Sequence, residues 1–229
     1  MTMKGKLIIF GIFYRQCVKK ALFLIDAERV HTAFARFGEM LGTISAGRTL
    51  VKKIFYIKPA PILSQNIAGI PFTSPIGLAA GFDYEARLTR ILPAIGFGWS
   101  TIGTITNMPY GGNPPPRLGR LPKSQSLWVN KGFKNLGALE TAEKLRDIPF
   151  EIPIGISIGR TNAPMNQKES VQDIVSAFSI FETSSCLHAY YELNISCPNL
   201  FGTVNFYTPH HLEELLRALN KLEIRRPVF

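Results

Sequence analysis

The stretch "YELNISCPNL", Tyr191 to Leu200, decides the reading of the fold. Apolar residues alternate through Tyr191, Leu193 and Ile195, and the run then breaks into Ser196, Cys197, Pro198 and Asn199. Pro198 cannot donate to a β-ladder and biases the residue before it toward an extended conformation, so Cys197 takes the last extended position before a loop. A strand that ends in Asn194, Ser196, Cys197 and Asn199 delivers polar and reactive groups at its C-terminal end. Upstream, "PIGLAAG" reads as a strand ending at Gly81 to Asp83, "WSTIGTIT" as one ending at Thr104 and Thr106, and "IPIGISIG" as one ending at Ser157.

Helix-length segments separate these strands. "EARLTRILPAIG" reads as a short helix closing near Pro93, residues 135–146 and 170–181 as two more, and "PHHLEELLRALNKL" as a fourth with Pro209 in its first turn. "RRPVF" reads as a fifth strand as it begins. Strand and helix alternate with no hairpin between them, which predicts a parallel sheet with right-handed crossovers. A doubly wound sheet would normally carry a glycine fingerprint after its first strand, and "GLAAGFDYEA" is a poor version of one. Polar residues at the C-terminal ends of several strands are what a (β/α)8 TIM barrel presents. The expected fold is therefore α/β, the first half of such a barrel: about four βα units, and roughly 155 residues from Pro75 against the ~250 of a whole barrel. The barrel part is assigned to residues 58–229 and an N-terminal helical segment to residues 1–57. Between them, "KPAPILSQNIAGIPFTSP" has the punctuation of a linker entering a hairpin, with its turn at Ile67 to Gly69.

The chain of 229 residues is 46% hydrophobic and 18% charged, enough to bury a full core, and this excludes a disordered tail. Cys17, Cys186 and Cys197 are too few and too widely spaced for a disulfide framework or a zinc site, so no metal is expected. Cys17 and Cys186 read as small buried hydrophobes. The net charge of +10 is concentrated: residues 1–60 hold eleven Lys and Arg against Asp26, Glu28 and Glu39, which accounts for +8. The same segment carries Leu7, Ile8, Ile9, Phe10, Phe13 and Tyr14. Its apolar run falls short of the ~18 residues a spanning helix needs, and no signal-peptide cleavage site follows it. It reads as a basic amphipathic helix lying on an anionic membrane surface, or as an ordinary helix packed on its own domain. Because the charge travels with an apolar helix and no recognisable nucleic-acid module is present, nucleic acid is not an expected partner.

The runs "GLAAGFD", "TIGTIT", "GNPPPRLGRLP", "NKGFKNLG", "GISIG" and "LNISCPN", in this order and spacing, resemble dihydroorotate dehydrogenase, the flavoprotein of pyrimidine synthesis. The segment "KKALFLIDAERVH" resembles the membrane-bound, quinone-reducing class, whose two N-terminal helices form the quinone's entry tunnel. The resemblance implies FMN-dependent oxidation of dihydroorotate to orotate with a membrane quinone as acceptor, and a peripheral location on the cytoplasmic side of the cell membrane. A related flavin oxidoreductase acting on another dihydropyrimidine, and a non-catalytic half-barrel at a membrane surface, are the competing readings.

Carried over position by position, the resemblance assigns Ala80 and Gly81 to close backbone approach against FMN, with Thr104, Ser157 and Asn194 also at the flavin. Asn194, Asn199, Asn130, Gly132, Phe133 and Tyr84 are assigned to the substrate. Cys197 falls on the catalytic base, which takes a proton from C5 of dihydroorotate while hydride leaves C6. A thiol with an ordinary pKa of ~8.5 ionises far more readily than a hydroxyl, which suits that task. The chain departs from the family at four places. Cys197 is the base of the soluble classes, where the quinone-reducing class has serine. Tyr84 replaces a lysine that reaches flavin and substrate carboxylate. An ungapped alignment sets Val129 where a substrate-binding asparagine is usual, with Asn130 one place late. Ser157 stands where an asparagine usually meets the flavin.

Overall fold

The structure, a computed structural model, describes residues 3–202 and 204–229. The parts of the N-terminal reading that rest on the side chains of Lys4, Lys6 and Leu7 lie outside the described residues. Helix α1 (Met3–Phe13) continues through one π-helical turn (Tyr14–Val18) into α2 (Lys19–Leu22). Helix α3 (Ala27–Thr43) begins at Asp26, whose carboxylate accepts from the Arg29 N–H at 2.9 Å, and α4 (Ser45–Phe55) follows. Phe10 of α1 packs edge-on against Phe55 of α4 at 5.4 Å. Cys17 is exposed on this helix, contrary to the buried role expected for it, because the π turn that carries it buries no residue. Cys186 is buried as expected.

A hairpin of β1 (Gln65–Ile67) and β2 (Ile70–Phe72) turns at Ala68 and Gly69, as the sequence indicates. The next predicted strand and helix are shorter than expected. "PIGLAAG" contributes one parallel bridge, Leu78 to Ser100, instead of a strand. Helix α5 spans only Leu92–Ile95, and Pro93 opens it instead of closing it, since a residue without an N–H suits a first turn.

The main sheet is parallel, with order β3 (Ser100–Ile105), β6 (Ile154–Ile158), β7 (Tyr190–Leu193). Leu78 extends it on one side, and Val228, bridged in parallel to Tyr191, extends it on the other. The segments therefore stand in the sheet in chain order. Helices α6 (Ala138–Lys144), α7 (Gln167–Thr183) and α8 (Pro209–Leu219) supply the connections and the cover. Asn166 and Glu169 close α7 with a reciprocal capping box. The core lies between sheet and helices, where Ile102, Ile105, Ile154, Ile156 and Ile158 meet Ile174, Phe178, Phe181 and Leu215. Strands β3 and β6 are buried along their whole length, which is why they read as continuous apolar runs.

One expectation fails. Between β3 and α6 the chain forms a hairpin, β4 (Leu118–Leu121) paired with β5 (Ser126–Val129), where strand and helix were expected to alternate without one. Most of its residues are exposed, so it carries no alternation of buried and exposed positions. It is fixed by α3 and the turn before it: Arg117 pairs with Glu28 at 2.9 Å, and Arg120 donates to the Ile25 carbonyl at 2.7 Å. No helix among the described residues is long and apolar enough to cross a membrane.

Candidate active site at the strand ends

The C-terminal ends of β3, β6 and β7 are joined by side chains. Thr104, Ser157 and Asn194 come from three adjacent parallel strands or the residue just after. The Asn194 amide donates to the Thr104 hydroxyl at 2.8 Å, and that hydroxyl lies 3.0 Å from the Ser157 hydroxyl. The register that brings them level is set by the ladder itself, since the Asn194 N–H donates to the Ile158 carbonyl at 2.8 Å. Beside them Gly81 donates to the Gly103 carbonyl at 2.7 Å, and a side chain at Gly81 would meet no atom within 4 Å. The Ala80 to Gly81 backbone thus faces open space next to three polar side chains, which fits a planar ring bearing hydrogen-bonding edges, such as that of FMN.

A second cluster forms from asparagines. The Asn113 amide donates to Asn130 Oδ1 at 2.8 Å and to the Asn199 carbonyl at 3.0 Å. Its oxygen accepts from Tyr110 at 2.8 Å and from Asn162 at 2.9 Å. Asn113 therefore spends its full hydrogen-bonding capacity holding Asn130, Asn199 and Asn162 together. Gly132, at φ +65°, allows this closeness: a Cβ there would lie 2.3 Å from the Asn113 oxygen and 2.5 Å from the Asn162 nitrogen. The NH2 of Asn130 and the side-chain carbonyl of Asn199 take no part in these bonds. Together they offer a donor and an acceptor, the complement of a ring amide. The ring of Phe133 approaches the first cluster, because a Cβ at Gly159 would lie 2.6 Å from it and 3.0 Å from both Thr104 and Asn194.

Cys197 is half-buried and lines, with Asn194 and Arg160, a cavity of about 310 Å³. Burial pushes its thiol up, opposed by the Asn199 backbone N–H and by the Arg160 cation. Arg160 is itself buried, and its guanidinium donates to the carbonyls of Thr161, Ala163 and Phe201. It is thereby fixed beside the loop that carries Cys197.

The structure gathers Ala80, Gly81, Thr104, Ser157 and Asn194 into one group, and Asn130, Gly132 and Asn199 into its neighbour, with Phe133 between them and Cys197 alongside. Asn130 bonds Asn113 while Val129 is exposed, so it is the asparagine one place late in the alignment that joins this cluster. Tyr84 lies elsewhere. Its ring stacks on His31 at 5.4 Å and 20°, and its hydroxyl bonds Thr32, so it faces α3. Sequence reasoning passed over Asn113, Asn162, Arg160, His31 and Lys131. Asn113 lies inside the quoted "GNPPPR" run and Asn162 follows "GISIG" closely, but neither stands out without the contacts that make it a hub.

The family model for dihydroorotate dehydrogenase matches residues 62–229. A curated relative from Chloroflexus aurantiacus, a dihydroorotate dehydrogenase (quinone), is 36% identical over 214 residues, covering 91% of this chain and 57% of its own length. One of the same description from Corynebacterium diphtheriae is 34% identical over 202 residues, covering 88% and 54%. Among solved structures, that of DHODH in complex with ferulenol from Eimeria tenella superposes with a TM-score of 0.70 at 27% identity, covering 86% of this chain and 50% of that one. The chain spans about half the length of the curated relatives it matches. With the strand-end polar groups, the asparagine cluster and this agreement over most of its length, the chain belongs to the dihydroorotate dehydrogenase family.

Proposed function

We propose that this chain is the N-terminal half-barrel of an FMN-dependent enzyme that oxidises dihydroorotate to orotate and passes the electrons to a membrane quinone. Residues 58–229 form the first half of a (β/α)8 barrel, and residues 1–57 are the membrane and quinone segment. The observation that carries the reading is the Thr104, Ser157 and Asn194 chain at the ends of three neighbouring parallel strands, with Cys197 in the loop that follows. FMN, when bound, supplies the hydride acceptor.

The residues of this chain have distinct tasks. Ala80 and Gly81 would admit the FMN ring, and Thr104, Ser157 and Asn194 would bond its edges. Asn130 and Asn199 bond the substrate's ring amide, Asn113 holds both in place, and Phe133 keeps water from the reacting face. Cys197 removes the C5 proton as C6 gives up its hydride, leaving orotate and a neutral thiol. The buried Arg160 cation favours the thiolate that this step requires.

Membrane association is supported by where the N-terminal acids go. Glu28 pairs with Arg117 and Lys134, Glu39 with Arg87 and Lys144, and Asp26 caps α3. Among the described residues no basic side chain of the segment forms an ion pair, and the same segment exposes Ile8, Ile9, Phe13, Leu24, Phe34 and Phe37. That combination suits peripheral docking on the anionic cytoplasmic leaflet. His31 of α3 and Phe82, next to Gly81, meet at 4.7 Å, which brings the N-terminal segment against the loop that would admit the flavin ring.

The test is dihydroorotate-dependent reduction of a soluble quinone by FMN-supplemented chain, alongside a difference spectrum for bound flavin. Flavin binding with turnover of dihydroorotate supports the reading. Bound flavin with turnover of other reduced pyrimidines but not of dihydroorotate refutes it.

A further inference from the structure

Asp173 is a buried carboxylate that the proposed chemistry leaves unused. It sits in the second turn of α7, one residue before Ile174, whose side chain lies in the core against the sheet. Among the described residues it forms no ion pair. Both of its oxygens go to one residue instead: Oδ2 accepts the Thr161 N–H at 2.6 Å and Oδ1 the Thr161 hydroxyl at 2.9 Å. Burying a charge is unfavourable unless it is well bonded, and here two charge-assisted bonds converge on a single point of backbone just beyond β6. Thr161 stands between Arg160 and Asn162, and those two side chains take hold of one residue in the loop after β7. The Phe201 N–H donates to Asn162 Oδ1 at 2.6 Å, and the Phe201 carbonyl accepts from Arg160 Nη2. Phe201 follows Cys197 by four positions, and on the other side of Cys197 the Asn194 N–H is held in the ladder. Asn162 also donates to Asn113 at 2.9 Å, so this two-point clamp and the asparagine cluster share a member. Arg160, Thr161 and Asn162 are all buried.

We propose that Asp173 is a positioning residue for Cys197: through Thr161 it aligns Arg160 and Asn162, which clamp the Cys197 loop at Phe201. The inference rests on the reading of Cys197 as the base and deepens it. Without Asp173 the Thr161 backbone is free to turn, Arg160 and Asn162 lose their common alignment, and the segment 196–201 is released from both bonds at Phe201. A base displaced by about 1 Å from its productive position loses much of its effect, so the clamp bears on the proton transfer without touching the substrate. The charge of Asp173 also reaches Arg160, where it favours the guanidinium form that Cys197 faces across the cavity.

Alkylation of the full chain by iodoacetamide, followed at each cysteine by mass spectrometry, tests this without any cofactor. Buried Cys186 reports global opening, and exposed Cys17 reports the reagent itself. Asp173→Ala should raise the rate at Cys197 about 10-fold or more, the factor by which losing a charge-assisted bond shifts an equilibrium, with Cys186 and Cys17 unchanged within about twofold. Thr161→Val keeps the N–H bond to Asp173 and loses that of the hydroxyl, so it should raise the Cys197 rate by a smaller factor. Asp173→Asn should stay within about threefold of the wild type, because an amide can accept from the Thr161 N–H and donate to its hydroxyl oxygen. A Cys197 rate unchanged in both Asp173→Ala and Thr161→Val, or one that rises only in step with Cys186, overturns the clamp. In a second arm, FMN with orotate should protect Cys197 from alkylation in the wild type and protect it less in Asp173→Ala. A wild-type chain left unprotected overturns the reading of Cys197 as the base, while the rates without ligand still decide the clamp.

Discussion

Gly132→Ala should damage the candidate site through the asparagine cluster. The residue sits at φ +65°, in the left-handed region that costs an L-residue about 1–2 kcal/mol. The new Cβ would also fall 2.3 Å from the Asn113 oxygen and 2.5 Å from the Asn162 nitrogen, so both amides must move. Moving them strains the 2.9 Å bond between Asn162 and Asn113 and the 2.8 Å bond from Asn113 to Asn130. Each neutral bond contributes about 0.5–1.5 kcal/mol net. The expected loss is therefore about 2–4 kcal/mol, a large part of the ~5–15 kcal/mol of a typical domain. In urea, with a slope near 2 kcal/mol per M, the midpoint should fall by about 1–2 M. Gly111→Ala is the control, because no atom lies within 4 Å of its Cβ position and its φ is ordinary. A Gly132→Ala midpoint equal to that of Gly111→Ala would show that the asparagines are not packed as described.

Three further outcomes are expected. Cys197→Ala should slow stopped-flow flavin reduction by dihydroorotate about 10²–10⁴-fold with FMN still bound, as befits loss of a general base, and an unchanged rate would return the thiol to a packing role. Glu28 and Glu39 are held below the usual carboxylate range, since their cationic partners outweigh burial, which works the other way. Their contribution is present above the unfolded value of ~4.3 and lost as pH falls through the lower folded values. Partial exposure limits each pair to roughly 0.2–1 kcal/mol, so a Glu28→Gln, Glu39→Gln chain should lose a little stability at pH 7 and match the wild type near pH 2.5. A deficit that persists undiminished in acid would refute the ion-pair account. Pelleting with anionic vesicles should weaken with salt, and should fall when Ile9 and Phe13 are both replaced by Asp; equal pelleting of wild type and variant would count against the docking face.

The parallel sheet was legible because its signal is local. Continuous apolar runs at β3 and β6, a Pro after Cys197 and helix-length spacers each need only neighbouring residues to be read. The β4–β5 hairpin was not, because its positions are mostly exposed and its place is set by Glu28 of a distant helix and Ile25 of the turn before it. The same distinction divides the site. Thr104, Ser157 and Asn194 could be placed because strand ends in a parallel sheet fall at one level. Asn113 could not, since its role consists of contacts with residues 17, 49 and 86 positions away. Tyr84 shows the limit of transferring a role by position: the alignment gives the site of the side chain, and the stack on His31 decides which way it faces.

Helix α3 ties the outer surface to the site. Its two glutamates point inward, Glu28 to the strip carrying Arg117 and Lys134, and Glu39 to Arg87 and Lys144. Between them in sequence, His31 donates to the Phe82 carbonyl at 2.8 Å and covers Tyr84, on whose other contact rests Lys131. The carbonyl one residue beyond Gly81 is therefore held from α3. Burial lowers His31, which favours the neutral ring, and its second ring nitrogen has no partner among the described residues. The contact is consequently one of shape and a single hydrogen bond, not of charge. Salt that screens the outer basic residues from a lipid surface should leave this inner contact in place, so surface attachment and site geometry are separable by ionic strength even though one helix carries both.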